Sequence, residues 1–346
     1  MAPDLIPHPT AGSIHPMKRR QFLKSAAAIP LGAVAAPTLA AATAVSSVRG
    51  PFALDGTRVR LASSAITRTA RLTVVADTHL FRDDQRGAPF IHFSQRMARA
   101  YNQTRHFATG QPTHPEAAFD AALRHAQESQ SDLLALVGDL FSFPSEAAIE
   151  WVQSRLTHTG VPYQYTAGNH DWHYEGMTGS LEELRSTWSR ERLLPMHQGQ
   201  NPLMSVREVA GVRILMIDNS NYEILPAQLD FFRSEAASAK PLILMVHIPL
   251  HAPGRPLGFG CGHPDWNAKN DRNHELERRE RWRESGHTPT TMTFHREVFT
   301  TPNLLAIFAG HVHRPALDVV NGIPQFVTEA NAVGAWLDVE LILSEP

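Results

Sequence analysis

The chain has 346 residues, of which 42% are hydrophobic, enough for a full core, and its formal net charge is −2. That balance provides no global basic field to neutralise phosphates, so stable nucleic-acid binding is not expected, although a local basic groove stays compatible with it. A single cysteine, Cys261, excludes an intramolecular disulfide and reads as a stray buried or loop thiol.

Residues 1–16 hold four prolines and no periodicity, and read as disordered. Lys18-Arg19-Arg20-Gln21-Phe22-Leu23-Lys24 then resembles a twin-arginine export motif, and an Ala-rich, weakly apolar stretch follows to about Ala44. Pro30 and Pro37 interrupt that stretch, so it reads as a cleavable signal and not as a membrane span. Ala42-Thr43-Ala44 fits a small-x-small cleavage site, which gives residues 1–44 as extension and signal and 45–346 as one catalytic domain. The expected partner of the precursor is the twin-arginine translocation machinery. The expected location is the periplasm or the exterior, with no membrane anchor in the mature form.

Phe52 to Leu61, with Asp55-Gly56 between short apolar alternations, suggests a hairpin or edge strand. Arg71 to Asp77 is the first core strand, and an unusually long connection, 81–115, precedes a helix over Glu116 to Gln130. That insertion carries Arg82, Arg86, Arg96, Arg99, Tyr101 and Arg105, and reads either as a lid or specificity loop or as a solvated helical insertion. Leu133 to Val137 is a strand, Ser145 to Thr157 a helix, and Val161 to Thr166 a strand. Leu203 to Val209 and Val212 to Asp218 form a hairpin at Ala210-Gly211, followed by a helix over Leu225 to Ala239 and a strand over Leu242 to Val246. A second insertion, 249–293, ends in a charged helix, Asn273 to Glu284, read as a salt-bridged surface element. Strands over Leu304 to Ala309, Ala316 to Val320, Gln325 to Thr328 and Trp336 to Leu343 close the chain.

Five polar motifs sit where these apolar runs stop: Asp77-Thr78-His79, Gly138-Asp139, Gly168-Asn169-His170-Asp171, a lone His247, and Gly310-His311-Val312-His313. Loops at the carboxyl ends of strands are where α/β sheets collect ligands. Carboxylate, imidazole and carboxamide donors suit Mn, Fe, Zn or Co, whereas a soft-metal site would want thiolates. Each motif alone is weak, since 19 histidines in this length make His-x-His expected about once by chance. Their joint occurrence, in order and in one strand-then-loop context, carries the reading.

The order of these motifs resembles that of the calcineurin-like metallophosphoesterases, over roughly Arg71 to the C-terminus. The resemblance implies an α/β four-layer sandwich, with two packed mixed β-sheets flanked by helices. It implies a dinuclear centre with one metal on Asp77, His79, Asp139 and His313 and the other on Asp139, Asn169, His247 and His311, so that Asp139 bridges. It implies hydrolysis of a phosphate ester by a metal-bridging hydroxide, with His170 as general acid and Asp171 orienting it. A metal pair activates water and offsets phosphoryl charge, and a bridging carboxylate holds two cations close more readily than a neutral group could. One departure is Ser142, three residues after the bridging Asp. Purple acid phosphatases place Tyr there, and cyclic-nucleotide members often place Asp.

Phosphomonoesters and phosphodiesters are both served by such a site. The alternatives are a nuclease or cyclic-nucleotide phosphodiesterase of the same fold, and a non-catalytic metal-bound scaffold. His173, Tyr174 and His251 are further candidates for substrate contact. For export, Arg19→Lys combined with Arg20→Lys is expected to strand the protein in the cytoplasm; cell fractionation that finds the variant exported as the native chain is would refute the signal.

Overall fold

The computed structural model describes residues 48–256, 259–270 and 283–345. The signal expected over residues 1–44 lies outside them, as does most of the charged helix expected at Asn273 to Glu284; its last two residues are described and are not helical. In chain order the strands are β1 (Phe52–Asp55), β2 (Arg58–Ser63), β3 (Ala70–Val75), β4 (Thr104–Arg105), β5 (Pro112–Thr113), β6 (Leu133–Val137), β7 (Tyr163–Thr166), β8 (Met204–Val209), β9 (Val212–Ile217), β10 (Leu242–Met245), β11 (Leu304–Ala309), β12 (Ala316–Val320), β13 (Ile323–Val327) and β14 (Leu337–Leu343). The helices are α1 (Ile91–Ala100), α2 (Pro115–Glu128), α3 (Glu146–Thr159), α4 (Leu181–Trp188), α5 (Pro226–Ala237) and α6 (Pro289–Val298).

Two mixed six-stranded sheets form, in the orders β1-β2-β14-β3-β6-β7 and β12-β13-β11-β10-β9-β8. Strands β3, β6 and β7 run parallel in the first, and β9, β10, β11 and β13 in the second. Every residue of β6, β10 and β11 is buried. That is the burial expected of parallel strands covered on both faces, and it is why they read as unbroken apolar runs. Side chains alternate across each strand. Leu72, Val74 and Ala135 therefore meet Ile214, Met245 and Phe308 between the sheets. Leu134 and Leu136 face Phe119, Leu123 and Val152 of α2 and α3, while Leu244 and Ile307 face Phe232 and Phe294 of α5 and α6. The layers are helix, sheet, sheet, helix, as expected.

Local chemistry explains most boundaries. Ser145 caps α3 by accepting from the Ala148 N–H, and Gly160 ends it in the left-handed region. The β8–β9 turn places both Ala210 and Gly211 at positive φ, as a two-residue primed turn requires. Two helices were not anticipated. The helix α4 follows a capping box at Ser180 and Glu183, and α6 lies where the second insertion was expected to continue. The sequence over 181–188 offers only two turns of pattern, too few to separate a helix from a loop. Among the described residues no helix is long and apolar enough to cross a membrane.

The parallel strands of both sheets end on one rim, and three glycines there make room for side chains. A Cβ on Gly138 would lie 2.5 Å from Nδ1 of His247, and one on Gly168 or Gly310 would overlap the carboxylate of Asp139 or Asp77 respectively. Gly310 lacks a left-handed φ, so its cost to substitution is steric alone. Gly310→Ala is expected to lose about 1–3 kcal/mol of stability by overpacking against Asp77 and Ala76, read from the denaturant midpoint. An unchanged midpoint would mean that the rim can yield.

Candidate metal centre

Each of the five motifs follows a parallel strand: Asp77 and His79 follow β3, Asp139 follows β6, Asn169 and His170 follow β7, His247 follows β10, and His311 and His313 follow β11. Backbone hydrogen bonds join these strand ends. Asp77 N–H donates to the Gly138 carbonyl and His79 N–H to that of Asp139, at 3.0 and 2.9 Å, and Gly310 N–H donates to the His247 carbonyl at 3.0 Å. Five of the side-chain donors, on Asp77, His79, Asp139, His311 and His313, stand on left-handed backbone with φ between 50° and 72°. Such a conformation costs a non-glycine residue about 1–3 kcal/mol and persists only where the surroundings enforce it. Its concentration on one rim marks the place where side-chain direction outranks local comfort.

The donors converge in two groups. In the first, Nε2 of His79 lies 3.0 Å from Nε2 of His313, 4.0 Å from Asp77 Oδ1 and 3.9 Å from Asp139 Oδ2. His313 Nε2 is 3.2 Å from Asp77 Oδ1. In the second, His247 Nε2 lies 3.1 Å from the same Asp139 Oδ2, and His311 Nδ1 is 3.3 Å from His247 Nε2 and 3.1 Å from Asn169 Oδ1. The remaining oxygen of Asp139, Oδ1, accepts from the His170 N–H at 2.8 Å. One carboxylate oxygen therefore faces both groups while its partner is tied to the backbone. All seven residues expected as ligands are brought together.

The donor chemistry fits cations. Two imidazole nitrogens facing each other at 3.0 Å must either share one proton, donor to acceptor, or turn both lone pairs toward a cation between them. His247 donates Nδ1–H to the Val137 carbonyl at 2.9 Å, which leaves its Nε2 lone pair aimed into the group. The buried acids and imidazoles shift one another's proton affinities. Burial disfavours charge on His247, but Asp139 beside it outweighs that and raises the ring to about 10. Burial likewise opposes ionisation of Asp139, yet His247 and His170 hold it well below the usual carboxylate range. Burial, reinforced by His313, keeps His79 neutral far below its ordinary value. Hard-to-borderline metal ions suit this set of carboxylate, imidazole and carboxamide donors.

His170 stands beside the first group, its ring nitrogen within 4.8 Å of His79 and Asp139 donors. Asp171 departs from expectation. Its carboxylate accepts from the N–H groups of Phe141 and Gly168 and from the Tyr165 hydroxyl, each at 2.8 Å, and makes no hydrogen bond to the His170 ring. It ties the Asp139 and Asn169 loops to each other through their backbones. Burial, with the charge of Asp139, raises it to about 7. Ser142 is structural here, donating to the His79 carbonyl at 3.0 Å.

Other expectations divide. Tyr174 is a core residue, stacked on Phe90 and edge-on to Trp188, and does not face the centre. His173 lines a cavity of about 990 Å³ together with Asn221, Glu223 and Arg283. His251 packs against His263, with ring centroids 4.0 Å apart. Cys261 is buried, with its thiol on the Tyr222 carbonyl. Several arginines of the first insertion are paired: Arg82 with Glu116, Arg86 with Asp84 and Glu150, and Arg96 with Glu175. They anchor that segment, with little net stabilisation from each exposed pair.

Sequence reading missed three supports. The Tyr222 hydroxyl pairs with Nε2 of His311 at 2.7 Å. Asn219 holds Ile248, the residue after His247, by a two-way amide pairing of 2.7 and 3.0 Å. Asn331 accepts from the Thr78 hydroxyl at 3.0 Å, and its N–H donates to the Ala76 carbonyl at 2.8 Å, bracing the first motif. An Asp-Asn-Ser run directly after β9 was the one available signal, since it too follows an apolar strand.

A family model of calcineurin-like phosphoesterases matches residues 70–315. A probable cyclic nucleotide phosphodiesterase of Psychrobacter arcticus is 24% identical over 223 residues, spanning 61% of this chain and 67% of that protein. Among solved structures, a dimetal phosphatase from Danio rerio is similar at 11% identity and a TM-score of 0.49, covering 79% of this chain and 93% of that one. A purple acid phosphatase from yellow lupin (Lupinus luteus) seeds is similar at 13% identity and a TM-score of 0.43, covering 81% and 47% respectively. With its five motifs inside the matched span, the chain belongs to the calcineurin-like phosphoesterases, a family of metal-dependent phosphoester hydrolases whose membership implies a dinuclear metal centre.

Proposed function

We propose that this protein hydrolyses phosphomonoesters or phosphodiesters after export through its twin-arginine signal. The observation that carries the reading is the single oxygen of Asp139 that faces both donor groups, 3.9 Å from His79 and 3.1 Å from His247. Asp77, His79, Asp139 and His313 would hold one metal, and Asp139, Asn169, His247 and His311 the other. Bound cations of this kind supply Lewis-acid polarisation of the phosphoryl oxygens and activation of water. The protein's own groups do the rest. Asp139 would supply negative charge to both metals, Val137 and Tyr222 fix the directions of two imidazoles, and Asp171 locks the loop that carries Asn169 and His170. His170 lies at the edge of the first group and would hand a proton to the departing oxygen.

A second reading is a cyclic-nucleotide phosphodiesterase. The Psychrobacter relative favours it, and Ser142 in place of the Asp found in many such enzymes weighs against it. Turnover of 3′,5′-cyclic AMP compared with bis-p-nitrophenyl and p-nitrophenyl phosphate by the metal-loaded protein separates the two. No turnover on any of the three would sink both.

Asp139→Asn keeps the shape and removes the shared charge. It is expected to lose or severely weaken both metals together, with little residual activity, as read by metal analysis of the purified variant. Two retained equivalents with near-normal turnover would end the bridging assignment. His170→Ala is expected to keep both metals and cost roughly 10²–10⁴ in kcat, the usual worth of a general acid. The loss should shrink for leaving groups of low pKa, which need no proton. Loss of a metal equivalent would instead make His170 a ligand, as its closeness to His79 and Asp139 allows.

A further inference from the structure

Two of the candidate ligand rings are steadied in the usual way, by a hydrogen bond on the nitrogen that faces away from the centre: His247 through the Val137 carbonyl and His311 through the Tyr222 hydroxyl. His79 differs. Its Nε2 points into the first donor group, while its buried Nδ1 has no hydrogen-bond partner among the described residues. The ring lies flat against Tyr101, with centroids 4.0 Å apart and planes within 8° of parallel. The Tyr101 ring also stands 6.1 Å from that of His313, the other imidazole of the same group.

Tyr101 belongs to the first insertion, as the residue that ends α1. That helix is seated by Met97 in the core beside Phe119, by the Glu175 N–H on the Met97 sulfur, and by the Arg96–Glu175 pair. The insertion reaches the centre by a second route. Past α1, the Phe107 N–H donates to the Val333 carbonyl at 2.9 Å. Val333 ends the short turn Asn331–Val333, whose Ala332 N–H donates to the Asp77 carbonyl at 2.9 Å. The insertion thus bears on both His79 and Asp77, the two residues of the first motif.

Resting on the ligand assignment proposed above, we propose that Tyr101 is a positioning residue of the metal centre, holding the His79 imidazole by face-to-face stacking where neighbouring rings use a hydrogen bond. The insertion is then a wall of the first metal site. A flat contact limits tilt of the imidazole while leaving Nδ1 unpolarised, so His79 is a weaker donor whose direction is set by packing. Parallel planes put the phenol hydroxyl at the ring edge, so the stack itself requires only the aromatic face.

The test uses the full chain and Mn²⁺ alone, with affinity measured by competition against a chelator. Tyr101→Ala is expected to weaken one of two Mn²⁺ sites about 10-fold and leave the other within about twofold, the usual scale for losing an outer support of a ligand. Tyr101→Phe should bind as the unmodified chain does, and Tyr101→Leu, which fills the space without a flat face, should follow Ala. A metal-independent readout is the ring-proton resonances of His79, shielded by the stacked phenol in the native and Phe forms and shifted downfield in Ala and Leu. Unchanged affinity and unchanged His79 resonances in Tyr101→Ala would overturn the proposal alone. A Phe variant as weak as Ala would overturn it in favour of a role for the hydroxyl. Retention of both sites in His79→Ala would overturn it together with the ligand assignment beneath it.

Discussion

The carboxylate of Asp139 sits at the junction of two donor groups, with almost no exposure to solvent. A buried negative charge persists only if positive charge or hydrogen bonds surround it. One oxygen is satisfied by the His170 N–H, and the other is left to the imidazoles of His79 and His247. Much of the local structure serves this arrangement. Gly168 is small because the carboxylate lies where its Cβ would be, and the backbone at Asp139 is left-handed so that the side chain turns inward. Asp171 binds the two loops that meet there. Metal ions would replace protons in this cluster, which ties binding to the deprotonation of its histidines.

The strained backbone and the two-sheet architecture are linked. Parallel strands from both sheets deliver their ends to one rim, and a strand that simply ran on would carry its next side chains alternately to either face. Left-handed residues at Asp77, His79, Asp139, His311 and His313 interrupt that alternation at the rim, where their side chains meet in the two donor groups. The cost is met by the packed strands behind, whose residues between the sheets, including Leu72, Ala135 and Met245, are fully buried. The rim is stiff because its foundations are close-packed, which suits a site that must hold two cations at a set separation.

The first insertion takes on a different meaning from the one its composition suggests. It reads as a lid or specificity loop or as a solvated helical insertion, and in the structure its Arg82, Arg86 and Arg96 are matched to carboxylates of the body of the protein. What reaches the centre is an aromatic ring. The segment is anchored at several points and contributes shape and packing next to His79, whereas charge in the centre comes from the strand-end motifs.

The strands and the seven candidate ligands were legible in the sequence for a physical reason. The fully buried parallel strands β6, β10 and β11 are apolar along their whole length, so the first polar residues after Val137, Val246 and Ala309 stand out, whereas β3 and β7 carry polar residues and the donors after them were read from their motifs. Donor type and order then narrow the chemistry without any knowledge of distance. The supports were not legible, because they depend on contacts between remote segments whose partners have no distinctive composition. Thr78 and Asn331 are 253 residues apart, and Tyr222 and His311 are 89 apart. The carboxylate of Asp171 could have turned toward the adjacent ring or toward the backbone, and the placing of Phe141, Gly168 and Tyr165 decided it. The sequence by itself determined which groups could bind metal and on which strand ends they stand. Only the tertiary structure decided which side chains support them, Tyr222 on His311 and Asn331 on Thr78 among them, and which ring, Tyr101, lies against His79, since these follow from how two sheets and an insertion pack and not from any local pattern.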